Sequence, residues 1–393
     1  MANKMVKNMN NWSLCRISDI CTTASETYKR NDEYVILVNT SDVLEGKILN
    51  HTPTVNQNLK GQFKKTFKKN DILYSEIRPA NKRFAFVDID DTDNYIASTK
   101  LMVLRCDETK VLPKFLFSLL TSNQIINELQ ILAETRSGTF PQITFFGELG
   151  PMEISLPDFE TQKKIVSILG SIEEKIELNN KINNNLQEQA QALYQQMFID
   201  NSSPDWREGV LSDIADITMG QSPSGSSYNE AGNGTIFFQG RAEFGFRFPT
   251  VRLFTTEPKR MACTNDTLMS VRAPVGDLNV AYEDCCIGRG LASIRSKTNH
   301  QSFVYYTMFF LRKQLDVFNG EGTVFGSINR NALNEMSIII PSDDKLDEFE
   351  KVVSNMDAII RNNYDVICRL EQLRDSLLPK LMCGELDLTE VDI

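Results

Sequence analysis

Apolar positions in residues 158–200 fall at Ile165, Leu169, Ile172 and Ile176, then at Leu186, Ala190, Leu193 and Met197. Alternating steps of three and four predict a long helix with one apolar seam. The seam recurs 184 residues on as Phe349, Val353, Met356, Ile360, Ile367, Leu370, Leu377 and Leu381. Both copies are interrupted at one equivalent place, by Asn179 and Asn363. A buried asparagine at such a position fixes register at a cost in stability. Pro157 with Asp158, and Pro341 with Ser342, mark the two starts, and Pro204 and Gly384 follow the ends. About 40 residues at 1.5 Å each make a rod of about 60 Å. One rod leading out and a matching rod leading back predict an antiparallel coiled coil with pseudo-two-fold symmetry, in which Asn179 and Asn363 bond each other.

The rest of the chain repeats as well. Trp12 with Ser18-Asp19-Ile20 recurs as Trp206 with Ser212-Asp213-Ile214, and Asp71-Ile72-Leu73-Tyr74-Ser75 as Asp266-Thr267-Leu268-Met269-Ser270. Gly138-Thr139 recurs as Gly322-Thr323, and Leu149, Met152, Ile154 and Pro157 as Leu333, Met336, Ile338 and Pro341. Runs such as Tyr34–Val38, Phe84–Val87, Ile236–Phe238 and Leu278–Tyr282 are β-branched and aromatic and predict strands. One helix per copy is expected, around Lys114–Leu132 and Gln301–Phe318. The chain therefore divides into an α+β head at 1–157, a long helix at 158–200, a second head at 201–341, a second long helix at 342–386 and a tail at 387–393.

Composition narrows the class. The longest apolar stretch in the 393 residues, Phe303–Leu311, is closed by Arg312 and Lys313 and is far short of the roughly 20 residues of a membrane span. Met1–Asn10 carries Lys4 and Lys7 with no apolar run behind them, unlike a signal peptide. Eight cysteines without regular spacing fit reduced thiols in a cytoplasmic protein, and two histidines leave little room for a catalytic triad or a Cys/His zinc site. The net charge of −10 argues against nucleic acid until it is located: the excess lies on 158–200 and 342–393, and both heads are close to neutral.

Each head has cationic features of its own. In the first, Lys60, Lys64, Lys65, Lys68 and Lys69 interleave with Phe63 and Phe67, a run that suits phosphate neutralisation or a solvated turn between strands. The second holds 10 Arg against 3 Lys. A guanidinium fork can bond both acceptors of a guanine edge, which makes Arg241, Arg272 and Arg289 candidates for base contact, with Arg247, Arg252 and Arg260 in the same set. Each arginine singly has a surface or intradomain salt bridge as its alternative. Gln221 and Gln239 have the donor and acceptor to pair with adenine. Phe237, Phe238, Phe244, Phe246 and Phe248 fit a core better than a base stack.

The run from Asp158 to Ile176, DFETQKKIVSILGSIEEKI, preceded by Ile154-Ser155-Leu156-Pro157, resembles the first conserved helix of the specificity subunits of type I restriction-modification enzymes. Leu377 to Leu386, LLPKLMCGEL, resembles the close of the second. Phe238-Gln239-Gly240-Arg241, the stretch Ser270–Gly276 and Gly288-Arg289-Gly290-Leu291-Ala292 are similar to one group of the family's target recognition domains. In the first head Ser98-Thr99-Lys100 replaces Gly288-Arg289-Gly290. The resemblance implies two target recognition domains and a non-catalytic subunit that reads a bipartite, asymmetric site in double-stranded DNA. It implies two methyltransferase subunits as partners, with restriction subunits in the complete complex. No cofactor binds the chain directly on this reading; S-adenosylmethionine, ATP and Mg belong to the partners. The sequence has no Asn-Pro-Pro-Phe or Asp-Pro-Pro-Tyr element and no Walker A loop. A coiled-coil scaffold that binds no DNA is the competing reading.

Overall fold

Trp12–Arg16 pairs antiparallel with Glu153–Pro157, Trp12 opposite Pro157, so the two ends of the first head meet where the first long helix begins. Arg207–Val210 does the same with Ser337–Ile340 in the second. The computed structural model describes residues 11–136, 138–320 and 326–388. Met1–Asn10, the Gly322-Thr323 half of one repeat and the last five residues of the expected tail lie outside them. Among the described residues no helix is long and apolar enough to cross a membrane.

Two units divide the chain. One takes in the described residues up to Leu178 and from Val366 onward, the other those from Asn179 to Asp365. They share one topology. The first has an antiparallel sheet ordered Cys21–Ala24, Leu101–Cys106, Ile72–Ser75, Phe84–Phe86, and the second has Ala215–Met219, Leu291–Ser296, Thr267–Ser270, Leu278–Val280 in the same places. A further sheet holds one parallel pair, Tyr34–Val38 with Tyr95–Ser98 in the first unit and Thr235–Phe238 with Cys285–Ile287 in the second. All four residues of Ile72–Ser75 and of Thr267–Ser270 are buried, which is why these strands read as unbroken runs rather than alternating ones.

The repeat extends to buried charge. Asp71 accepts from Arg105 Nε and Nη2 at 2.9 and 2.8 Å and from Lys68 N at 2.8 Å. Asp266 accepts from Arg295 Nε and Nη2 at 2.7 and 3.0 Å and from Cys263 N at 2.8 Å. Asn70 and Asn265, just before the two aspartates, both sit at φ +71°.

The helix expected around Lys114–Leu132 is two, Pro113–Leu120 and Asn123–Arg136. Thr121 turns its hydroxyl back onto Phe117 O at 2.8 Å, and Ser122 Oγ accepts from Ile125 N at 3.4 Å, so two hydroxyl side chains end one helix and open the next. The second copy likewise breaks at Leu311, between Gln301–Phe310 and Arg312–Leu315.

The long helices are α1, Phe159–Tyr194, which runs on as a wider π-helical turn over Gln195–Asp200, and α2, Asp343–Met382. Asp158 Oδ1 caps α1 by accepting from Thr161 N at 2.8 Å, and that bond holds its carboxyl below the ordinary range. Past the end of α2, Gly384 takes φ +70°, and Glu385 N reaches back to Lys380 O at 3.0 Å. A Cβ on Gly384 would come within 3.1 Å of the Trp12 ring.

In the first unit Ile165 and Leu169 of α1 share a core with Leu381 and Met382 of α2. In the second, Ala190, Tyr194 and Phe198 share one with Phe349 and Val353, the rings of Phe198 and Phe349 lying 5.2 Å apart. The helices run antiparallel there, since Asn363, further along α2 than Phe349, meets an earlier residue of α1. That residue is Asn183, not Asn179 as the seam pattern suggests: Asn363 Nδ2 donates to Asn183 Oδ1 at 2.8 Å. Equivalence in the repeat does not make two positions face each other. The register that sets Phe198 against Phe349 brings position 183 opposite 363 and leaves the half-buried Asn179 one turn away.

Candidate nucleic-acid interface

Three backbone segments of the second unit cross at glycines. Gly288 N donates to Phe238 O at 2.8 Å, Gly290 N to Gln239 O at 3.2 Å and Gln221 N to Ile287 O at 3.0 Å. A Cβ on Gly220 would lie 2.2 Å from Gly288 O, one on Gly288 2.9 Å from Gln239 Cα, and one on Gly290 2.8 Å from Gln239 O. Side chains at these points would force the segments apart, so glycine is required by close approach. A fourth segment joins through Val271 N, which donates to Gly290 O at 2.9 Å.

The crossing gathers Gln221, Gln239, Arg241, Arg272 and Arg289, all exposed, from four stretches of sequence. The side chains of Arg272 and Arg289 have no hydrogen-bond or ion-pair partner among the described residues; Arg289 is fixed through its backbone N, which donates to Ser222 Oγ at 3.2 Å. Arg241 differs. Its Nη1 bonds Asp277 Oδ2, and the other oxygen of that carboxylate takes Arg312 Nη1 at 2.6 Å. Nothing in the sequence pairs Asp277 with Arg241 and Arg312, because an aspartate shared by two distant arginines has no local pattern. A cleft of about 920 Å³ opens beside them, lined in part by Phe244, Phe246, Phe309 and Lys313.

Several other arginines of this head take the salt-bridge alternative. Arg247 is buried, pairs with Asp357, donates to the Tyr306 hydroxyl at 2.9 Å and lies 4.1 Å from the Tyr305 ring centroid. Arg252 lies between Glu230 and Glu243 at 3.2 and 3.0 Å, and Arg295 holds Asp266. Phe237, Phe238 and Phe248 are core, whereas Phe246 is 44% exposed.

In the first unit the lysine run divides. Lys60, Lys64 and Lys68 are exposed. Lys65 is not available to a phosphate: its ammonium donates inward to Thr99 O at 3.0 Å and Leu101 O at 2.8 Å, and burial pushes its pKa down. The cause is strand periodicity, since Phe63–Lys65 turns Lys64 outward and sets Lys65 on the same face as half-buried Phe63. Lys69 is exposed but pairs with Asp90 and lies 3.9 Å from Asp88. Phe67 is buried, so it offers no ring to a base.

Among the described residues no three His, Cys, Asp or Glu side chains are grouped as metal ligands. The chain is thus two copies of one mixed unit, the second of which shows amides and guanidinium forks at a crossing of glycines. Residues 9–188 and 204–371 both match the type I restriction modification DNA specificity domain, and the chain belongs to that family. It is 30% identical to the type I restriction enzyme HindI specificity subunit of Haemophilus influenzae, over 96% of this chain and all of the relative. It is also 30% identical to the putative type I restriction enzyme MjaX specificity subunit of Methanocaldococcus jannaschii, over 73% of this chain and 71% of that one. The crystal structure of a type I restriction-modification S subunit from M. genitalium has the same fold, with a TM-score of 0.56 at 17% identity over 98% of each chain.

Proposed function

We propose that the chain is the DNA specificity subunit of a type I restriction-modification complex, reading a bipartite target whose halves differ because its heads differ. The observation that carries this reading is the gathering of Gln221, Gln239, Arg241, Arg272 and Arg289 at one exposed edge of a unit that occurs twice. Glutamine amides and arginine forks match the donor and acceptor patterns that base pairs present in the major groove. Lys60, Lys64 and Lys68 supply phosphate contacts, which add affinity without sequence information. The chain binds no cofactor. Two methyltransferase subunits bring S-adenosylmethionine and methylate adenine, and restriction subunits bring ATP and Mg. The length of the long helices sets the number of base pairs between the half-sites.

The test is to express the chain with its methyltransferase subunit and map methylated adenines in the host DNA. The expected result is one motif of two unlike halves at a fixed spacing. A complex that assembles but leaves DNA unmethylated, and binds no duplex, would make the chain a scaffold.

A further inference from the structure

The turn that carries Arg272 has a counterpart in the first unit built on the same backbone bonds. Ile143 N donates to Glu76 O at 2.8 Å, as Ile328 N does to Val271 O at 3.1 Å. Arg78 N donates to Pro141 O at 3.1 Å, as Ala273 N does to Gly326 O at 2.9 Å. Glu76 N donates to Lys100 O at 3.0 Å, as Val271 N does to Gly290 O at 2.9 Å. Ile77 bridges Gln142 as Arg272 bridges Ser327. Position 77 therefore stands where Arg272 stands, and it is an isoleucine; the arginine comes one residue later.

In extended chain a shift of one residue turns a side chain to the opposite face. Arg78 is not extended. It sits at φ +45° and ψ +79°, a left-handed conformation that costs any residue but glycine free energy and is kept where the surrounding bonds enforce it. The alternation is broken at this residue. The other arginines nearby are engaged: Arg83 donates to Ser41 O and Val43 O, Arg105 holds Asp71 and Glu26, and Arg136 holds Glu148. Lys82, left-handed at the far side of the same turn, lies 3.5 Å from Glu45, and Lys100 lies 3.4 Å from Glu76. Arg78 is exposed, and its side chain has no hydrogen-bond or ion-pair partner among the described residues.

We propose that Arg78 is the specificity-determining residue of the first head, its free guanidinium reading a guanine edge in the first half-site. The proposal rests on the function given above and adds the contact residue that the lysine run does not supply, since ammonium groups on phosphates carry no sequence information.

The test uses the complete complex with Arg78→Gly, Arg78→Lys and, as a control in the other head, Arg289→Ala, reading the methylated motif and competition binding to duplexes altered one base at a time. Glycine suits φ +45°, so Arg78→Gly should melt no lower than the wild type. It should nevertheless lose roughly ten- to hundredfold discrimination at one position of the first half-site and none in the second. Arg78→Lys, which keeps the charge without the fork, should lose the same discrimination. If Arg78→Gly keeps full discrimination while Arg289→Ala relaxes the second half-site, the assignment of Arg78 is overturned. It is overturned as well if Arg78→Gly weakens binding to every duplex alike, which is the signature of a phosphate contact. If neither substitution changes the motif, the reading of the heads as base readers falls with it.

Discussion

Asn363 donates its amide to the carbonyl oxygen of Asn183 at 2.8 Å, and both side chains are buried in the seam of the second unit. Replacing either residue by Ala leaves a buried amide unpaired with little apolar burial in return, which costs about 1–3 kcal/mol. Replacing both by Leu removes the orphan, and burial of each leucine contributes about 1.5–3 kcal/mol. The two single variants should therefore unfold at lower urea than the wild type, and the double variant at the same concentration or higher. A double variant as weak as the singles would mean that the pair does not act as a unit.

The lysines of the first head should separate by function. Lys64→Gln and Lys68→Gln should each lower the slope of log K against log salt by about 0.9 if the ammonium meets a phosphate, and leave sequence preference unchanged. Lys65→Gln should leave that slope alone and lower the thermal midpoint instead, because it removes inward bonds to Thr99 O and Leu101 O. Salt titrations of duplex binding, alongside melting curves, distinguish these outcomes.

Asp277 holds Arg241 and Arg312 together, so it governs how Arg241 is presented at the glycine crossing. Asp277→Asn should reduce discrimination in the second half-site severalfold and leave the first half-site as it was. Base-by-base competition binding measures this, and equal losses in both halves would count against independent heads.

The Asp158 cap brings a pH dependence of known sign. Its carboxyl titrates below the ordinary value because the ionised form accepts from Thr161 N. The stabilisation is complete above the unfolded pKa of about 3.9 and is lost as the pH falls through the lower folded value. Asp158→Asn keeps a capping oxygen without the titration. Urea midpoints at pH 6 should thus be close for the two proteins, and the wild type should lose more than the variant on going to pH 3.

The long helices and the repeat are legible in the sequence because both rest on periodicity: one seam recurs in the same phase, and Asp71 and Asp266 introduce equivalent buried strands. Partnership across space is not legible. Asn183 lies one turn from the residue that the seam singles out, and only the antiparallel register selects it. Residue type alone does not separate Arg247 from Arg272; Asp357 and Tyr306, which enclose Arg247, do. Lys65 is the exception: alternation along Phe63–Lys65 would have turned it inward from sequence alone. The break at Thr121 and Ser122 is likewise marked by two adjacent hydroxyl residues, which follow the apolar Leu119-Leu120 and precede the polar Asn123-Gln124.

Whether the two heads read two half-sites separately is decided by the methylated motif of a complex carrying Arg272→Ala and Arg289→Ala. Separate reading gives a motif whose one half is relaxed or lost, while the other half keeps its sequence. Equal loss in both halves, or a motif identical to that of the wild type, would contradict it.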